Sequence, residues 1–278
     1  MRIDLHTHST FSDGTLSPRE LVRLAVKRSV SALALTDHDT TQGLPDFLSA
    51  GEHYGIEVVP GIEISTRHRE YSLHVLGYGI RHNSGALENS LEKIQAARKE
   101  RNHKILAKLQ DFDIDISSQD LAGQGIGQIG RPHIARVLVE RGVVKTIQEG
   151  FVRFLRRGGS AFVEQERPEA DKVIAMIKEA GGIAFLAHPG SLDPSMKTLP
   201  GLINELKNFG LAGIEAYYPS HSPSTSRFLK KLAGELNLLI SGGTDFHGEF
   251  GSNTPLGGSA ATVTVPPEIW ETMKNLLQ

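Results

Sequence analysis

The sequence predicts an α/β protein in which seven strands form a distorted β/α barrel that carries a helical insertion. Short apolar runs typical of strands alternate with longer amphipathic stretches typical of helices. Seven such runs with intervening helices favour a barrel over an open sheet. One long interval, residues 82–170, lacks strand signals and interrupts this alternation.

The predicted strands and helices follow one another in order along the chain. The strands cover residues 2–5, 32–36, 57–60, 73–78, 183–187, 213–216 and 238–240. Helices are predicted over residues 18–27, 43–54, 169–180, 199–208 and 224–236. The first helix opens with Ser17-Pro18-Arg19-Glu20, a capping box with proline at the first helical position.

The interval between the fourth and fifth strands predicts a helical insertion. It contains a long charged helix over residues 86–110, a glycine-rich stretch over 123–130, and shorter helices over 131–141 and 146–155. Connections of this length in a compact domain are usually functional. We therefore expect a barrel from residues 1–81 and 171–278, and an insertion over 82–170 that acts as a lid or substrate domain.

Composition excludes several classes of function. The chain has 278 residues, a formal net charge of −2 and no cysteine, which excludes disulfides, thiolate metal sites and cysteine nucleophiles. The charge balance argues against a scaffold for long duplex DNA. No run approaches the roughly 20 apolar residues of a membrane span, and the polar start does not look like a signal peptide. We therefore expect a cytoplasmic protein that binds no membrane.

Histidines and carboxylates cluster where the predicted strands end. His6 and His8 follow the first strand, and their two-residue spacing places both rings on one face of an extended chain. A lone histidine at a strand end is more often structural, but here histidines follow several different strands. The carboxyl ends of the strands form the active-site face of a β/α barrel. Nine side chains are therefore predicted to converge: His6, His8, Asp13, His38, Glu63, His74, His188, Asp245 and His247.

This set of ligand types predicts a site for two or three divalent metal ions. At three to four protein ligands per ion, nine side chains are more than one ion needs. Nitrogen and oxygen ligands without sulfur suit zinc, manganese or iron, and the carboxylates favour manganese.

The order and spacing of these motifs resemble the PHP (polymerase and histidinol phosphatase) domain phosphoesterases. The similarity spans nearly the whole chain. The matching segments are DLHTHSTFSDG at 4–14, ALTDHDT at 34–40, PGIEIS at 60–65, HVLGYG at 74–79, AHP at 187–189 and SGGTDFHG at 241–248. The RPH at 131–133 and EAYYPSHS at 215–222 resemble the small stand-alone members, known as nucleoside 3′,5′-bisphosphate phosphatases and 5′→3′ exoribonucleases of short RNA.

The resemblance implies a distorted seven-stranded barrel with a three-metal site, usually manganese with some iron or zinc. Transferred position by position, it assigns His6, His8, Glu63 and Asp245 to one ion. It assigns Asp13, His38 and His247 to a second ion. His74 and His188 would hold a third, with Glu63 as the bridge to the first. The chain departs from its relatives at 154–161, where they often carry lysine and proline after the first glycine.

The expected reaction is hydrolysis of a phosphate ester by attack of a metal-bridging hydroxide, which requires no protein nucleophile. Asp245 and His247 would act in catalysis as metal ligands. Asp37 would either orient the attacking water or fix an imidazole from behind, and we favour the second role.

Three residues are candidates for contacts with the substrate. Arg131 offers a planar fork to a phosphate, and His133 stands two residues further along. Both residues could instead simply lie at the start of a helix, with Arg131 in a surface ion pair. His221 is the third candidate. Tyr217 or Tyr218 could stack on a base, although an aromatic residue after a strand more often packs.

Three other functions compete with a nucleotide phosphoesterase. The first is a small-metabolite phosphatase of the histidinol phosphate type. The second is a non-catalytic module in which bound metals only stabilise the barrel. Such a degraded site should lack some of the expected ligands, and none is missing here. The third is a nucleic-acid-binding regulator, which would be expected to show a broad basic face. We therefore expect a nucleotide or short-oligonucleotide substrate.

Overall fold

A seven-stranded sheet forms the centre of the computed structural model, which describes residues 1–122, 126–248 and 254–277. The strands lie side by side in chain order. Neighbours are parallel except that β4 runs antiparallel to both β3 and β5. The strands are β1 (Arg2–Asp4), β2 (Val30–Leu35), β3 (Glu57–His68), β4 (Tyr71–Tyr78), β5 (Ile183–Leu186), β6 (Gly213–Tyr217) and β7 (Leu239–Gly242).

The first and last strands of this sheet come together. The backbone N–H of Leu5 donates to the carbonyl of Gly242 at 3.2 Å, and the N–H of His8 donates to that of Phe246 at 2.9 Å. Thr7 and Phe246 also form an isolated parallel bridge. These bonds bring the two edges of the sheet into contact, as the predicted barrel requires.

The helices lie in the connections between strands, except for α10, which follows β7. Ser17 caps α1 by accepting from the backbone N–H of Glu20, which confirms the predicted capping box. A π-helical turn covers Phe151–Leu155 and a 3₁₀ turn covers Pro189–Ser191. The helices are α1 (Pro18–Lys27), α2 (Leu44–Tyr54), α3 (Gly85–Gln110), α4 (Ser118–Ala122), α5 (Arg131–Glu140), α6 (Ile147–Gly150), α7 (Ala170–Glu179), α8 (Leu199–Asn208), α9 (Pro223–Glu235) and α10 (Glu268–Lys274).

Buried side chains form three apolar clusters. The first lies between the sheet and its outer helices and includes Leu33 and Phe47. The second takes the alternate residues of the same strands, such as Ala32, and is joined by Trp270 of α10. Because neighbouring residues of a strand point to opposite faces, these clusters cover the two faces of the sheet. The third lies within the helices between β4 and β5 and includes Ile134.

Strand β3 differs most from its prediction, because it continues to His68 rather than ending at Pro60. Pro60 and Gly61 read as a strand end in the sequence, yet β3 and β4 pair antiparallel from Gly61–Tyr78 to His68–Tyr71. Helices α4 and α10 were not predicted. The described part of 82–170 contains helices and no strand, and residues 123–125 of its glycine-rich stretch lie outside the described residues. None of the described helices is long and apolar enough to span a bilayer.

Candidate metal centre

The first group of site residues joins the ends of β1 and β7 to the middle of β3. Its four members are His6, His8, Glu63 and Asp245, whose potential ligand atoms all lie within 4.8 Å of one another. The Nε2 atoms of His6 and His8 each lie 3.3 Å from Glu63 Oε2. They lie 3.3 and 3.1 Å, respectively, from Asp245 Oδ1. Two imidazoles and two carboxylates thus face one point.

A second group shares one histidine with the first. Its members are His8, Asp13, His38 and His247. His247 Nε2 lies 3.1 Å from Asp13 Oδ1, and His38 Nε2 lies 3.9 Å from Asp13 Oδ2. The rings of His8 and His247 stack with their centroids 4.1 Å apart. Asp13 is the one carboxylate of this group.

Glu63 is the centre of a third group. His38 Nδ1 lies 3.1 Å from Glu63 Oε2, and His74 Nδ1 lies 2.9 Å from Glu63 Oε1. His188 Nε2 reaches the same Oε1 at 3.2 Å. The structure therefore brings all nine residues that the sequence singled out to one end of the barrel, with Glu63 at the centre.

The chemistry of this cluster fits metal ions. Several of its buried atoms have no hydrogen-bond partner among the described residues, including His6 Nε2, His8 Nε2 and Glu63 Oε2. Unsatisfied buried polar atoms are costly unless another group binds them. Burial alone disfavours the ionised form of Glu63, but the imidazoles of His38, His74 and His6 hold its pKa well below the usual range. These imidazoles thus favour the ionised form of Glu63, which is the form that can bind a metal ion.

The backbone is unusual around this cluster. Asp39, His188 and Asp245 have φ values of 54°, 30° and 52°, in the left-handed region that non-glycine residues seldom adopt. Such residues concentrate at functional sites because the surrounding structure must hold them. A Cβ atom on Gly243 would lie 2.4 Å from the backbone N of His6, so only glycine permits this approach of the segment after β7 to β1.

The contacts of Asp37 fit the role in which it fixes an imidazole from behind. Its carboxylate is buried and accepts hydrogen bonds from the N–H of Ser9 at 2.7 Å and from the hydroxyls of Ser9 and Ser12 at 2.6 Å. The Ser12 hydroxyl lies 3.4 Å from His8 Nδ1. Asp37 thus fixes the loop that presents His8, which was the alternative role considered for it.

Glu215 and Tyr218 also contact the centre, and sequence analysis assigned neither to it. Glu215 is fully buried and lies with Oε1 3.0 Å from His6 Nδ1. The Tyr218 hydroxyl donates to Asp245 Oδ2 at 2.8 Å. A carboxylate in the middle of the apolar strand Gly213–Tyr217 is the sequence signal that could have found Glu215.

A cavity of about 180 Å³ opens beside the metal centre, and its lining combines two chemically different sets of side chains, which we call its barrel side and its inserted side. Two larger grooves, of about 430 and 730 Å³, run along α3 but contain none of the nine residues. The barrel side consists of Asp13, His38 and His74, the inserted side consists of Arg98, Arg101, Arg131 and Arg167, and the rest of the lining consists of Ser65, Pro132, Phe151 and Gln165.

Two of the four arginines pair with a carboxylate, whereas Arg101 and Arg131 form no ion pair among the described residues. Arg98 donates to Asp39 and to Ser65, and Arg167 lies 3.8 Å from Glu164. Arg131 donates to the backbone carbonyl of Leu155 at 3.1 Å. Burial, and then the neighbouring guanidinium groups, lower the pKa values of Arg101 and Arg131. Because arginine stays protonated in proteins, an anion in this cavity would be favoured.

The other two candidate substrate residues do not line the cavity. His133 is fully buried, and its Nδ1 accepts from the backbone N–H of Gly130 at the start of α5. His221 Nε2 accepts from the N–H of Gly190, and its Nδ1 lies 3.2 Å from the carbonyl oxygen of Ala216. Backbone groups thus contact both ring nitrogens of His221 and Nδ1 of His133, whereas His133 Nε2 has no hydrogen-bond partner among the described residues. Substrate contacts by these two histidines remain predictions. Arg131 alone among the three faces the cavity.

The fold and the site define an α/β protein in which one end of the barrel presents three groups of residues able to hold metal ions. The family model for the PHP domain matches residues 4–180, and the chain belongs to that family. The chain is 36% identical over 246 residues to a 5′-3′ exoribonuclease of Haemophilus influenzae, covering 88% of this chain and 90% of the relative.

Two further relatives match almost end to end. A 3′,5′-nucleoside bisphosphate phosphatase of Chromobacterium violaceum is 32% identical, covering 98% of this chain and 96% of the relative. A protein of Bifidobacterium adolescentis, described as a metal-dependent phosphoesterase, superposes with a TM-score of 0.89 at 29% identity. That superposition covers 99% of this chain and 96% of the other. The expected family and fold class are thereby confirmed.

Proposed function

We propose that the protein is a metal-dependent phosphoesterase that hydrolyses nucleotides carrying a second phosphate, such as nucleoside 3′,5′-bisphosphates or short 5′-phosphorylated RNA. One observation carries this proposal: a single cavity has potential metal ligands on one side and four arginines on the other. A substrate with one phosphate at each side would satisfy both. The relatives named as a bisphosphate phosphatase and an exoribonuclease support this substrate class.

The metal centre would contain two or three divalent ions, with manganese favoured by the three carboxylates and iron or zinc as alternatives. When bound, such ions neutralise phosphoryl oxygens and activate water for attack on phosphorus. His6, His8, Glu63 and Asp245 would hold one ion. Asp13, His38 and His247 would hold a second, and His74 and His188 would hold a third through Glu63.

The protein's own groups would orient the ester between the two sides. Arg131 would bind the phosphate that is not cleaved, assisted by Arg98, Arg101 and Arg167. Asp245 and His247 would act as ligands beside the scissile bond. No serine, threonine or other side-chain nucleophile is needed, because the reaction adds water directly to phosphorus.

The helices between β4 and β5 would act as the substrate domain over residues 82–170. Arg98 and Arg101 of α3, Arg131 of α5 and Arg167 of the loop before α7 line the cavity, whereas the potential metal ligands come from the barrel. The separate apolar cluster of these helices supports an assignment as a distinct unit. The boundary at 171 would fall within α7, one residue after its start.

The test is hydrolysis by manganese-loaded protein of three substrates in parallel: a nucleoside 3′,5′-bisphosphate, a 5′-phosphorylated RNA pentamer and histidinol phosphate. We expect turnover of the two nucleotide substrates and its loss on chelation. Preference for histidinol phosphate would retain the metal chemistry but refute the nucleotide assignment. Hydrolysis that persists after complete metal removal would refute the mechanism.

A further inference from the structure

We infer that Glu215 is a positioning residue that sets two potential metal ligands at once. Its carboxylate is fully buried on β6 and is not among the nine clustered residues. Oε1 lies 3.0 Å from His6 Nδ1, and Oε2 accepts from the backbone N–H of His188 at 2.7 Å. One carboxylate therefore bridges the ends of β1 and β5 behind the metal centre.

The contact to His6 determines which ring nitrogen is available to a metal ion. An ionised carboxylate only accepts hydrogen bonds, so His6 Nδ1 must carry the proton. The Nε2 lone pair is then free, and this atom faces Glu63 Oε2 and Asp245 Oδ1 at 3.3 Å. A ligating histidine generally needs such a partner to fix its tautomer and orientation.

The contact to His188 acts on the backbone instead of the ring. His188 has φ 30° and ψ 54°, a left-handed conformation that costs free energy for a residue with a side chain. Glu215 accepts the N–H of this residue, and His188 Nε2 then faces Glu63 Oε1 at 3.2 Å. The same carboxylate thus supports ligands of the first group and of the group centred on Glu63.

Charge balance provides a second reason for a carboxylate at this position. The nine clustered residues include only three carboxylates, whereas two or three divalent ions carry four to six positive charges. The buried carboxyl group of Glu215 lies directly behind His6, where a carboxylate would reduce that excess inside a region of low dielectric. A neutral side chain of the same shape would supply the volume without this charge.

Glu215→Gln tests the inference because the two carboxylate contacts are both to hydrogen-bond donors. The glutamine amide has one oxygen, so it can accept from His6 or from His188 but must present its NH₂ to the other. Metal dissociation constants, measured by competition with a chelator and without substrate, should increase about 10- to 100-fold. The visible spectrum of the cobalt-substituted protein should change as well, since ligand orientation changes.

Glu205→Gln is the matched control. Glu205 Oε2 pairs with His68 Nε2 at 2.8 Å on helix α8, away from the nine residues, and is about one-third exposed at 32%. This change should leave metal affinity and the cobalt spectrum within twofold of the original. Equal losses in both variants would overturn the inference.

Two further outcomes are decisive. Unchanged affinity and spectrum in Glu215→Gln would refute a positioning role. Glu215→Asp keeps the charge but shortens the side chain, so we expect a metal affinity between those of the unchanged protein and Glu215→Gln. If Glu215→Gln and Glu215→Asp are both unfolded without metal, Glu215 has a purely structural role and the inference is overturned. The inference rests on the metal centre of the proposed function, but its readout is metal binding, so it can fail independently of any substrate assignment.

Discussion

The two sides of the cavity are built in different ways. On the barrel side, most of the clustered histidines and carboxylates lie beyond strand ends, with Glu63 inside β3 and His74 inside β4. Neighbouring groups hold them, as Asp37 holds the loop after His8. On the inserted side, arginines project from helices and the adjoining loop, and Arg131 makes its hydrogen bond to a backbone carbonyl. Under the proposed function, reactivity would depend on the barrel, whereas substrate selection would depend on the insertion.

The largest expected effect comes from breaking the barrel side at its centre. Glu63→Gln should lower kcat by about a thousandfold or more, because it removes an anionic ligand shared by two of the three groups. Metal content measured by mass spectrometry should fall in the same preparation. Chelation of the unchanged protein should cause the same loss of activity, and excess manganese should restore it.

The matched control for this change is Glu205→Gln, the same chemical substitution at a carboxylate outside the site. It should retain activity and metal content. Near-normal turnover by Glu63→Gln would contradict the placement of the metal centre.

A smaller loss is expected on the inserted side. Arg131→Ala should raise KM for a nucleoside 3′,5′-bisphosphate about 10- to 100-fold, since a charged hydrogen bond contributes about 1.5–3 kcal/mol. Steady-state kinetics should show a smaller change for a nucleoside 3′-monophosphate, which lacks the second phosphate. The comparison of the two substrates isolates recognition from chemistry.

Arg141→Ala is the control for this prediction. Arg141 follows α5, at the opposite end from Arg131, and pairs with Asp120 at 2.6 Å. Its removal should not change the preference between the two substrates. Equal KM values for Arg131→Ala and the unchanged protein would remove Arg131 from the substrate site.

The two sides also differ in how far sequence alone could predict them. Each of the nine residues could be found because strand ends converge in a barrel and their motifs have a fixed order. Arg98 and Arg101 could not be identified as site residues, because they lie in a charged run of α3 that resembles a solvated helix face. Their burial depends on how α3 packs. Similarly, the predicted third strand ends at Pro60, whereas β3 continues to His68, because the sequence alone does not show its antiparallel pairing with β4.

Asp37→Asn should have a moderate effect and separates positioning from catalysis. Asparagine cannot accept all three hydrogen bonds that Ser9 and Ser12 donate, so unfolding free energy should fall by about 1–3 kcal/mol. Urea denaturation measures this change in stability. If Asp37 only fixes the loop, kcat should fall in proportion to metal occupancy and recover at saturating manganese. A loss of kcat that persists at full metal occupancy would instead indicate that Asp37 acts in catalysis.

Tyr218→Phe should have the smallest effect and sharpens the contrast between recognition and support. Tyr218 donates one hydrogen bond to Asp245 Oδ2, so losing it should weaken metal affinity only several-fold, for about 1 kcal/mol. Phenylalanine would still stack on a base, so Tyr218→Ala supplies the second comparison. If Tyr218 only supports Asp245, both variants should weaken metal affinity alike and leave KM at saturating metal unchanged. A KM increase confined to Tyr218→Ala would instead mean that the barrel side also binds the base. That result would contradict the assignment of substrate recognition to the inserted side alone.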